Sequence, residues 1–323
     1  STAAAGVGDQ AFLTGTAGAD RFYGFSGYSQ MLDSAGKTFA IVSGFDYVEA
    51  TGEADDKAYF WDTASNDTFY GGAAESRMEL ANGVTNKAKG FGYAEARAST
   101  AAAGVGDQAF LTGTAGADTF RGLSGYSYIA DSTGKTFALV SGFDYVEATG
   151  EADDKAYFWD TASNDTFYGG AAESRMELAN GVTNKAKGFG YAEARASTAA
   201  AGVGDQAFLT GTAGADRFYG FSGYSQMLDS AGKTFAIVSG FDYVEATGEA
   251  DDKAYLYDSA LNDLFTASGD DASWDWDYLD HAGVNLLAKG FGWVGVISRT
   301  GGSDAKQEIP PINFDLVYYG EWP

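Results

Sequence analysis

Carboxylates are the residues of this chain whose type and spacing could support chemistry. Aspartates recur in glycine-containing turns at a fixed spacing of 98 residues, with a second series in weaker copies of the same turn; the residues are Asp20, Asp118 and Asp216, then Asp67 and Asp165. Carboxylate oxygens are the ligands that Ca²⁺ prefers, but turn aspartates also hydrogen-bond to nearby backbone. Both interpretations stay open: candidate Ca²⁺ ligands, or aspartates that shape a turn.

A second acidic group, Glu53, Asp55 and Asp56, recurs in all three repeats. Three carboxylates within four residues repel one another unless a cation or a lysine lies nearby. A solvated loop is the simpler interpretation of this group.

No catalytic set is evident. The chain has one histidine, His281, and no cysteine, so neither a zinc site nor thiol chemistry is expected. Serine and aspartate are too frequent for their presence to indicate a triad with His281. We therefore expect that the protein is not an enzyme.

Aromatic residues are concentrated in the last repeat, where Trp274, Trp276 and Tyr278 alternate with acidic residues. Such a cluster is a candidate sugar-binding platform. A capping layer at the end of a repeat array is the other interpretation.

The net charge of −25 and the pI near 4.1 exclude several classes of partner. Nucleic acid and anionic lipid would be repelled, and no apolar stretch approaches the ~20 residues that a membrane-spanning helix needs. No signal peptide is visible at Ser1, so a leader has been removed, export uses another route, or the chain is part of a longer one. We expect a secreted location, either extracellular or at the cell surface.

Internal repetition organises the whole chain. Residues 1–98 and 99–196 differ at eight positions, all between Arg21 and Ile41 in the first copy. The predicted divisions are copy 1 (1–98), copy 2 (99–196), a divergent copy 3 (197–300) and a C-terminal tail or cap strand (301–323). A half-repeat alternates at spacings of 47 and 51 residues, which makes six units of about 49 residues.

Short aromatic segments interrupted by glycine or Asx residues fill each unit, as in Ala58–Asp62, Thr68–Tyr70, Arg77–Leu80 and Phe91–Ala96. They predict strands. Units of this size are too small for independent sandwiches, so we predict an all-β, parallel, right-handed β-solenoid. A tandem array of β-sandwiches is the alternative.

The segment Gly15–Tyr23 resembles one nonapeptide of the RTX β-roll family, GGxGxDxUx, with Thr16 in place of the second glycine. The longer pattern DKAYFWDTASNDTF, which begins at Asp56, is similar to repeats in giant secreted bacterial surface proteins. The RTX resemblance implies that the aspartates bind Ca²⁺ between stacked turns, and that Phe22 and Phe69 point into the core.

These features favour a structural function: a segment or subunit of a bacterial surface filament, sheath or layer that assembles head to tail as a homo-oligomer. The prolines Pro310 and Pro311 are expected to break the repeat pattern. A last strand is predicted after them, as the candidate assembly element, from Asn313, Phe314, Asp315, Leu316, Val317, Tyr318 and Tyr319. The alternative is a calcium-dependent adhesin or a carbohydrate-binding module, with a glycan or cell-surface partner.

Overall fold

The computed structural model describes residues 8–99, 106–197, 204–276, 285–299, 303–320 and 322. These residues form strands and turns, with no helix among them. The parallel strands stack as a β-solenoid, which confirms the predicted fold class.

Strands of four to eight residues recur in the same order in every copy. Copy 1 contains β1 (Gln10–Thr14), β2 (Arg21–Gly24), β3 (Tyr28–Leu32), β4 (Thr38–Ser43), β5 (Tyr47–Thr51), β6 (Lys57–Trp61), β7 (Thr68–Gly72), β8 (Glu75–Glu79), β9 (Thr85–Lys89) and β10 (Tyr93–Arg97).

Copy 2 contains β11 (Gln108–Thr112), β12 (Thr119–Gly122), β13 (Tyr126–Ala130), β14 (Thr136–Ser141), β15 (Tyr145–Thr149), β16 (Lys155–Trp159), β17 (Thr166–Gly169), β18 (Glu173–Glu177), β19 (Thr183–Lys187) and β20 (Tyr191–Arg195).

Copy 3 contains β21 (Gln206–Thr210), β22 (Arg217–Gly220), β23 (Tyr224–Leu228), β24 (Thr234–Ser239), β25 (Tyr243–Thr247), β26 (Lys253–Tyr257), β27 (Leu264–Gly269), β28 (Asp271–Asp275), β29 (Leu286–Lys289) and β30 (Trp293–Ser298). The tail adds β31 (Ala305–Ile312) and β32 (Asp315–Gly320).

Alternation of buried and outward-facing residues explains why these segments form strands. In β6, Ala58 and Phe60 are buried while Lys57, Tyr59 and Trp61 face outward, which is the two-residue period of a pleated strand. The inward residues of the facing sheets fill one aromatic core, with ring centroids 5.9 Å apart for Phe22 and Phe60 and 5.5 Å apart for Phe60 and Phe69. The expected inward orientation of Phe22 and Phe69 is confirmed.

The chain divides into two compact units, one ending at Ala156 and including Gly181–Phe189, the other comprising Tyr157–Asn180 and the residues from Gly190 onward. In the first unit, one sheet has the order β1-β5-β9-β8-β7-β11-β15-β19 and the other β4-β3-β2-β6-β10-β14-β13-β12. In the second unit, the orders are β18-β17-β21-β25-β29-β28-β27-β31 and β20-β24-β23-β22-β26-β30-β32.

Antiparallel meanders interrupt the parallel stack, which the sequence analysis did not anticipate. Strands β2, β3 and β4 pair antiparallel in one sheet, and β7, β8 and β9 do so in the other. The strands on either side pair in parallel, as in β1 with β5 and β2 with β6. Each unit of about 49 residues therefore places two strands in one sheet and a three-stranded meander in the opposite sheet.

A buried pair of one serine and one asparagine occurs in the core of each of the first two copies. The Ser29 hydroxyl donates to Oδ1 of Asn86 at 2.6 Å, and Nδ2 of Asn86 donates to the Phe25 carbonyl at 3.1 Å. Leu286 takes the place of this asparagine in copy 3, because it pairs with Val244 as Asn86 pairs with Val48. The buried hydroxyl of Ser225, the counterpart of Ser29, consequently has no partner among the described residues.

The substitutions Ser225→Ala and Ser29→Ala are expected to change stability in opposite directions. Removing the unpartnered Ser225 hydroxyl relieves a desolvation cost and raises the free energy of unfolding by about 1 kcal/mol. Removing the Ser29 hydroxyl leaves Oδ1 of Asn86 unpaired and lowers it by about 1–3 kcal/mol. Urea denaturation of both variants measures the two changes, and a shared sign would contradict this account.

The prolines lie within β31, and the expected break in the pattern occurs there as an interruption of its pairing. Strand β31 is the edge strand of its sheet in the second unit, where a residue that lacks a backbone N–H is tolerated. The pairing of β31 with β27 shifts between Ser268 and Gly269, so that Ser268 lies opposite Ile309 and Gly269 lies opposite Ile312. The two prolines are thus left out of the paired register.

Candidate functional site

Asp20, Asp118 and Asp216, the main candidates from the sequence, lie in the turns that precede β2, β12 and β22. All three side chains are buried. Each accepts hydrogen bonds from the backbone N–H and the hydroxyl of the threonine four residues earlier; Oγ1 of Thr16 lies 3.0 Å from Oδ2 of Asp20. This geometry matches the turn-shaping interpretation.

A second aspartate completes each of these turns. The backbone N–H of Asp20 donates to Oδ1 of Asp56 at 2.7 Å, and that of Glu53 donates to Oδ2 of Asp56 at 2.7 Å. Asp154 and Asp252 accept the equivalent pairs of bonds. Asp56 is therefore a buried structural residue, where the sequence suggested a solvated loop.

Asp67 belongs to a different arrangement. One oxygen of Asp67, one of Asp62 and one of Asp107 all lie within 4.8 Å of one another. Asp62 directly follows β6, Asp67 lies just before β7, and Asp107 lies just before β11. The second unit repeats this carboxylate triad with Asp160, Asp165 and Asp205.

Hydrogen bonds hold the carboxylates of the first triad in place. Asp67 accepts bonds from the N–H and hydroxyl of Thr63, at 2.5 and 2.8 Å, and from the N–H of Ala81 at 2.6 Å. Oδ2 of Asp62 accepts bonds from the N–H and hydroxyl of Ser99, at 2.6 and 2.9 Å. Oδ1 of Asp107 accepts the N–H of Asp67 at 2.7 Å, whereas its Oδ2 has no hydrogen-bond partner among the described residues.

Burial is the main cause that raises the pKa of Asp107 to about 6, and the charges of Asp62 and Asp67 add to the rise. The pKa of Asp205 is raised to about 6 for the same reasons. Burial also raises the pKa of Asp62. Both triads therefore hold more negative charge than their surroundings stabilise.

The sequence indicated only part of each triad. Asp67 and Asp165 were candidates, but Asp62, Asp107 and their repeats were missed. The spacing D-x₄-D from Asp62 to Asp67 was visible in the sequence, whereas Asp107 comes from the next copy, 40 residues further on.

The two described residues of the candidate sugar platform, Trp274 and Trp276, do not form an exposed aromatic surface. Trp274 is fully buried; its ring stacks on Trp322 at 5.8 Å and meets Phe265 edge-on at 5.4 Å. Trp276 is half-buried, and its Nε1 donates to the carbonyl of Tyr257 at 3.4 Å. Tyr278, like His281, lies outside the described residues. The position of Trp274 is that of a capping layer, which corrects the platform interpretation for this residue.

Strand β32 contains five of the seven candidate assembly residues and begins two residues later than predicted. Asn313 and Phe314 precede it; the N–H of Asn313 donates to the Gly269 carbonyl at 2.9 Å. Tyr318 packs its ring against Phe265, with centroids 5.9 Å apart, and Tyr319 is exposed. The tail therefore contributes to the core as well as to the surface.

The variable window of the repeats marks an outward-facing column of aromatic rings. In copy 1, Tyr23 stacks on Tyr59 at 5.2 Å and Phe25 stacks on Trp61 at 4.5 Å. Copy 3 has the same column, but in copy 2 Arg121 and Leu123 replace the first member of each pair. The column is thus an outward-facing feature that tolerates exchange of its aromatic residues.

Comparisons with known proteins give no family for this chain. No family model matches it, and neither a curated protein nor a solved structure matches it significantly. Among the described residues, no helix is long and apolar enough to span a membrane.

Proposed function

We propose that this chain is a structural repeat protein of a bacterial cell surface or extracellular layer, and that copies assemble head to tail by extending both sheets. The proposal rests on one observation: side chains of a strand that are buried in the second and third copies are exposed to solvent in the first copy. The absence of a recurring catalytic set from the sequence agrees with such a role.

The bare strand is β4, at one end of its sheet in the first unit. Phe39 in β4 is 40% exposed, whereas its counterparts Phe137 and Phe235 are each 5% exposed. Ile41 is 63% exposed, while the matching Leu139 is half-buried. The sequence of this segment is therefore suited to a covered position.

The internal junction shows what covers the same strand in copy 2. Strand β10 pairs in parallel with β14, joining Ala94 to Ala138 and Arg97 to Ser141. In the other sheet β7 pairs in parallel with β11. A neighbour that supplies two parallel strands to β4 and β1 would reproduce this junction.

The tail strands provide suitable partners. Strand β31 pairs with β27 as β11 pairs with β7, and β32 pairs with β30 as β14 pairs with β10. Each tail strand is the last strand of its sheet in the second unit. Addition of β1 and β4 of a second copy to the outer edges of β31 and β32 would continue both sheets, with the tail strands as one extra strand in each sheet compared with the internal junction. Such a contact is heterologous and forms open stacks when it does not close.

The variant Ile41→Lys is expected to abolish assembly of the purified protein. The counterpart Leu139 is half-buried at the internal junction, so a lysine here would lose part of its hydration on assembly, and a lysine on an edge strand also opposes strand addition. Copies that each carry a net charge of −25 also repel one another, so assembly should strengthen as salt screens the charge. Sedimentation velocity and electron microscopy across a salt series measure both effects, and we expect stacks of the wild type that disappear in the variant.

Leu261→Lys is the matched control, because Leu261 is also exposed but lies in the turn before β27. It should assemble like the wild type. Wild-type protein that stays monomeric at every concentration and salt level would overturn the proposal, as would Ile41→Lys protein that assembles normally.

A further inference from the structure

Each carboxylate triad contains a buried oxygen that has no hydrogen-bond partner among the described residues. In the first triad, Asp107 is completely buried and its Oδ2 has no hydrogen-bond partner among the described residues. Asp205 has the same buried, unpartnered Oδ2 in the second triad. Leaving a carboxylate oxygen buried without a partner is costly, so an unpartnered oxygen that recurs in both copies requires a physical explanation.

Among the residues that the structure describes, no lysine or arginine forms an ion pair with the carboxylates of Asp62, Asp67 or Asp107. The three carboxylates lie next to one another instead, which disfavours ionisation of all three. The triad therefore has a deficit of positive charge and an unused acceptor in the same place.

The other aspartate turns show that this deficit is specific to the triads. In the turn of Asp20, both oxygens of Asp56 accept backbone N–H groups. The tail forms a third version of the triad site, in which the N–H of Asp263 donates to Oδ1 of Asp304 at 3.3 Å. There the hydroxyl of Ser298 donates to Oδ2 of Asp304 at 3.0 Å. At this third site the hydroxyl of Ser298 therefore satisfies the carboxylate oxygen whose counterpart has no partner in the two triads.

We propose that Asp62, Asp67 and Asp107 form a divalent-cation site, and that Asp160, Asp165 and Asp205 form a second one. Ca²⁺ accepts oxygen ligands at about 2.3–2.6 Å in flexible geometry, so three carboxylate oxygens that lie close together can contact one ion. The triad oxygens lie within 4.8 Å of one another. Mg²⁺ keeps several of its waters and is usually bound through one or two carboxylates, so a set of three carboxylates favours Ca²⁺.

The sites lie at the junctions between repeats. Asp62 and Asp67 belong to copy 1 and Asp107 to copy 2; Asp160 and Asp165 belong to copy 2 and Asp205 to copy 3. A bound cation would connect the turn after β6 to the segment before β11, two segments that are about 40 residues apart in the sequence. Calcium then acts as a clamp between successive copies, and the number of sites follows the number of such junctions.

Calcium titration of metal-stripped protein tests the proposal. Isothermal calorimetry should give two Ca²⁺ per chain for the wild type, one for Asp107→Asn, and none for Asp107→Asn combined with Asp205→Asn. Asparagine keeps the shape of the side chain and can donate to the neighbouring carboxylates, so the variants should fold, which circular dichroism checks. Terbium luminescence gives an independent readout, because Trp61 and Trp159 directly precede Asp62 and Asp160.

The matched control is Asp56→Asn combined with Asp154→Asn, which alters the fully hydrogen-bonded turns. It should still bind two Ca²⁺ per chain. Absence of saturable binding of Ca²⁺ or Tb³⁺ to the folded wild type at millimolar concentration would overturn the proposal, since a proton would then occupy the unpartnered carboxylates. Binding of two ions to the folded Asp107→Asn, Asp205→Asn variant would overturn it too.

Discussion

Deleting residues 310–323 is expected to destabilise the strands from β27 to β30, while the first two copies stay folded. The deletion removes β32, which pairs with β30 from Trp293 to Ser298. It also removes the rings of Tyr318 and Trp322, which cover Phe265 and Trp274. Exposing two such aromatic side chains costs about 3–6 kcal/mol in total. Repeat stacks transmit such losses mainly to neighbouring units.

Hydrogen exchange followed by mass spectrometry measures this effect strand by strand. Amides of β27 and β30 should lose most of their protection in the truncated protein. Strands β7 and β10, their counterparts inside the first unit, are the internal control and should keep theirs. Unchanged protection of β30 after truncation would mean that the tail does not hold the core at that end.

Replacing Phe60 with alanine is expected to lower the free energy of unfolding by about 3–5 kcal/mol. Phe60 is completely buried and contacts the rings of both Phe22 and Phe69. The cavity would lie in the middle of the core, where the facing strands are held by pairing on both sides and cannot collapse inward. Urea denaturation below the concentration at which copies assemble gives the change.

The chain offers a control of the same residue type. Phe12 in β1 is 67% exposed, so Phe12→Ala should change the free energy of unfolding by less than about 0.5 kcal/mol in the monomer. Equal losses for the two variants would show that the difference in burial between these positions does not determine stability.

The strand pattern of the repeats could be predicted because aromatic and small residues alternate along it. Strand β9 was missed, since its sequence TNKAK is polar and lacks β-branched or aromatic residues apart from the threonine. Its inward residues are Asn86 and Ala88, and Asn86 is acceptable there only because it bonds to Ser29. Tertiary pairing therefore decides the structure of this segment.

The meanders had a local signal that the sequence analysis did not use. Gly36 and Gly83, at φ of 80° and 89°, lie in the turns that join β3 to β4 and β8 to β9. Asn82–Gly83 is a strong hairpin signal, because such turns favour a left-handed residue. The repeat period indicated a parallel stack so directly that these antiparallel hairpins were passed over.

The candidate site was harder to predict. The nonapeptide resemblance pointed to Asp20 as a Ca²⁺ ligand. In the structure, however, the hydroxyl of Thr16 donates a hydrogen bond to the Asp20 carboxylate. Asp107 lies next to Asp67 because β11 pairs with β7. Strand β7 is the first strand of its meander in the chain, but it is the one next to β11 in the sheet order β9-β8-β7-β11. The proximity of the two carboxylates cannot be predicted from the sequence without knowing this strand order.

The alternation of the meanders between sheets bears on how such a chain can grow by gene duplication. One unit of about 49 residues contributes two strands to one sheet and three to the other, while a full copy of 98 residues contributes five to each. Losing a single unit would place two units of the same kind side by side, so that the serine at this junction would no longer meet an asparagine such as Asn86. Losing or gaining 98 residues preserves every facing pair. A duplication or deletion of 98 residues is therefore the shortest one that keeps all facing pairs. This accounts for the period of 98 residues and for the sequence divergence between the two halves of each copy.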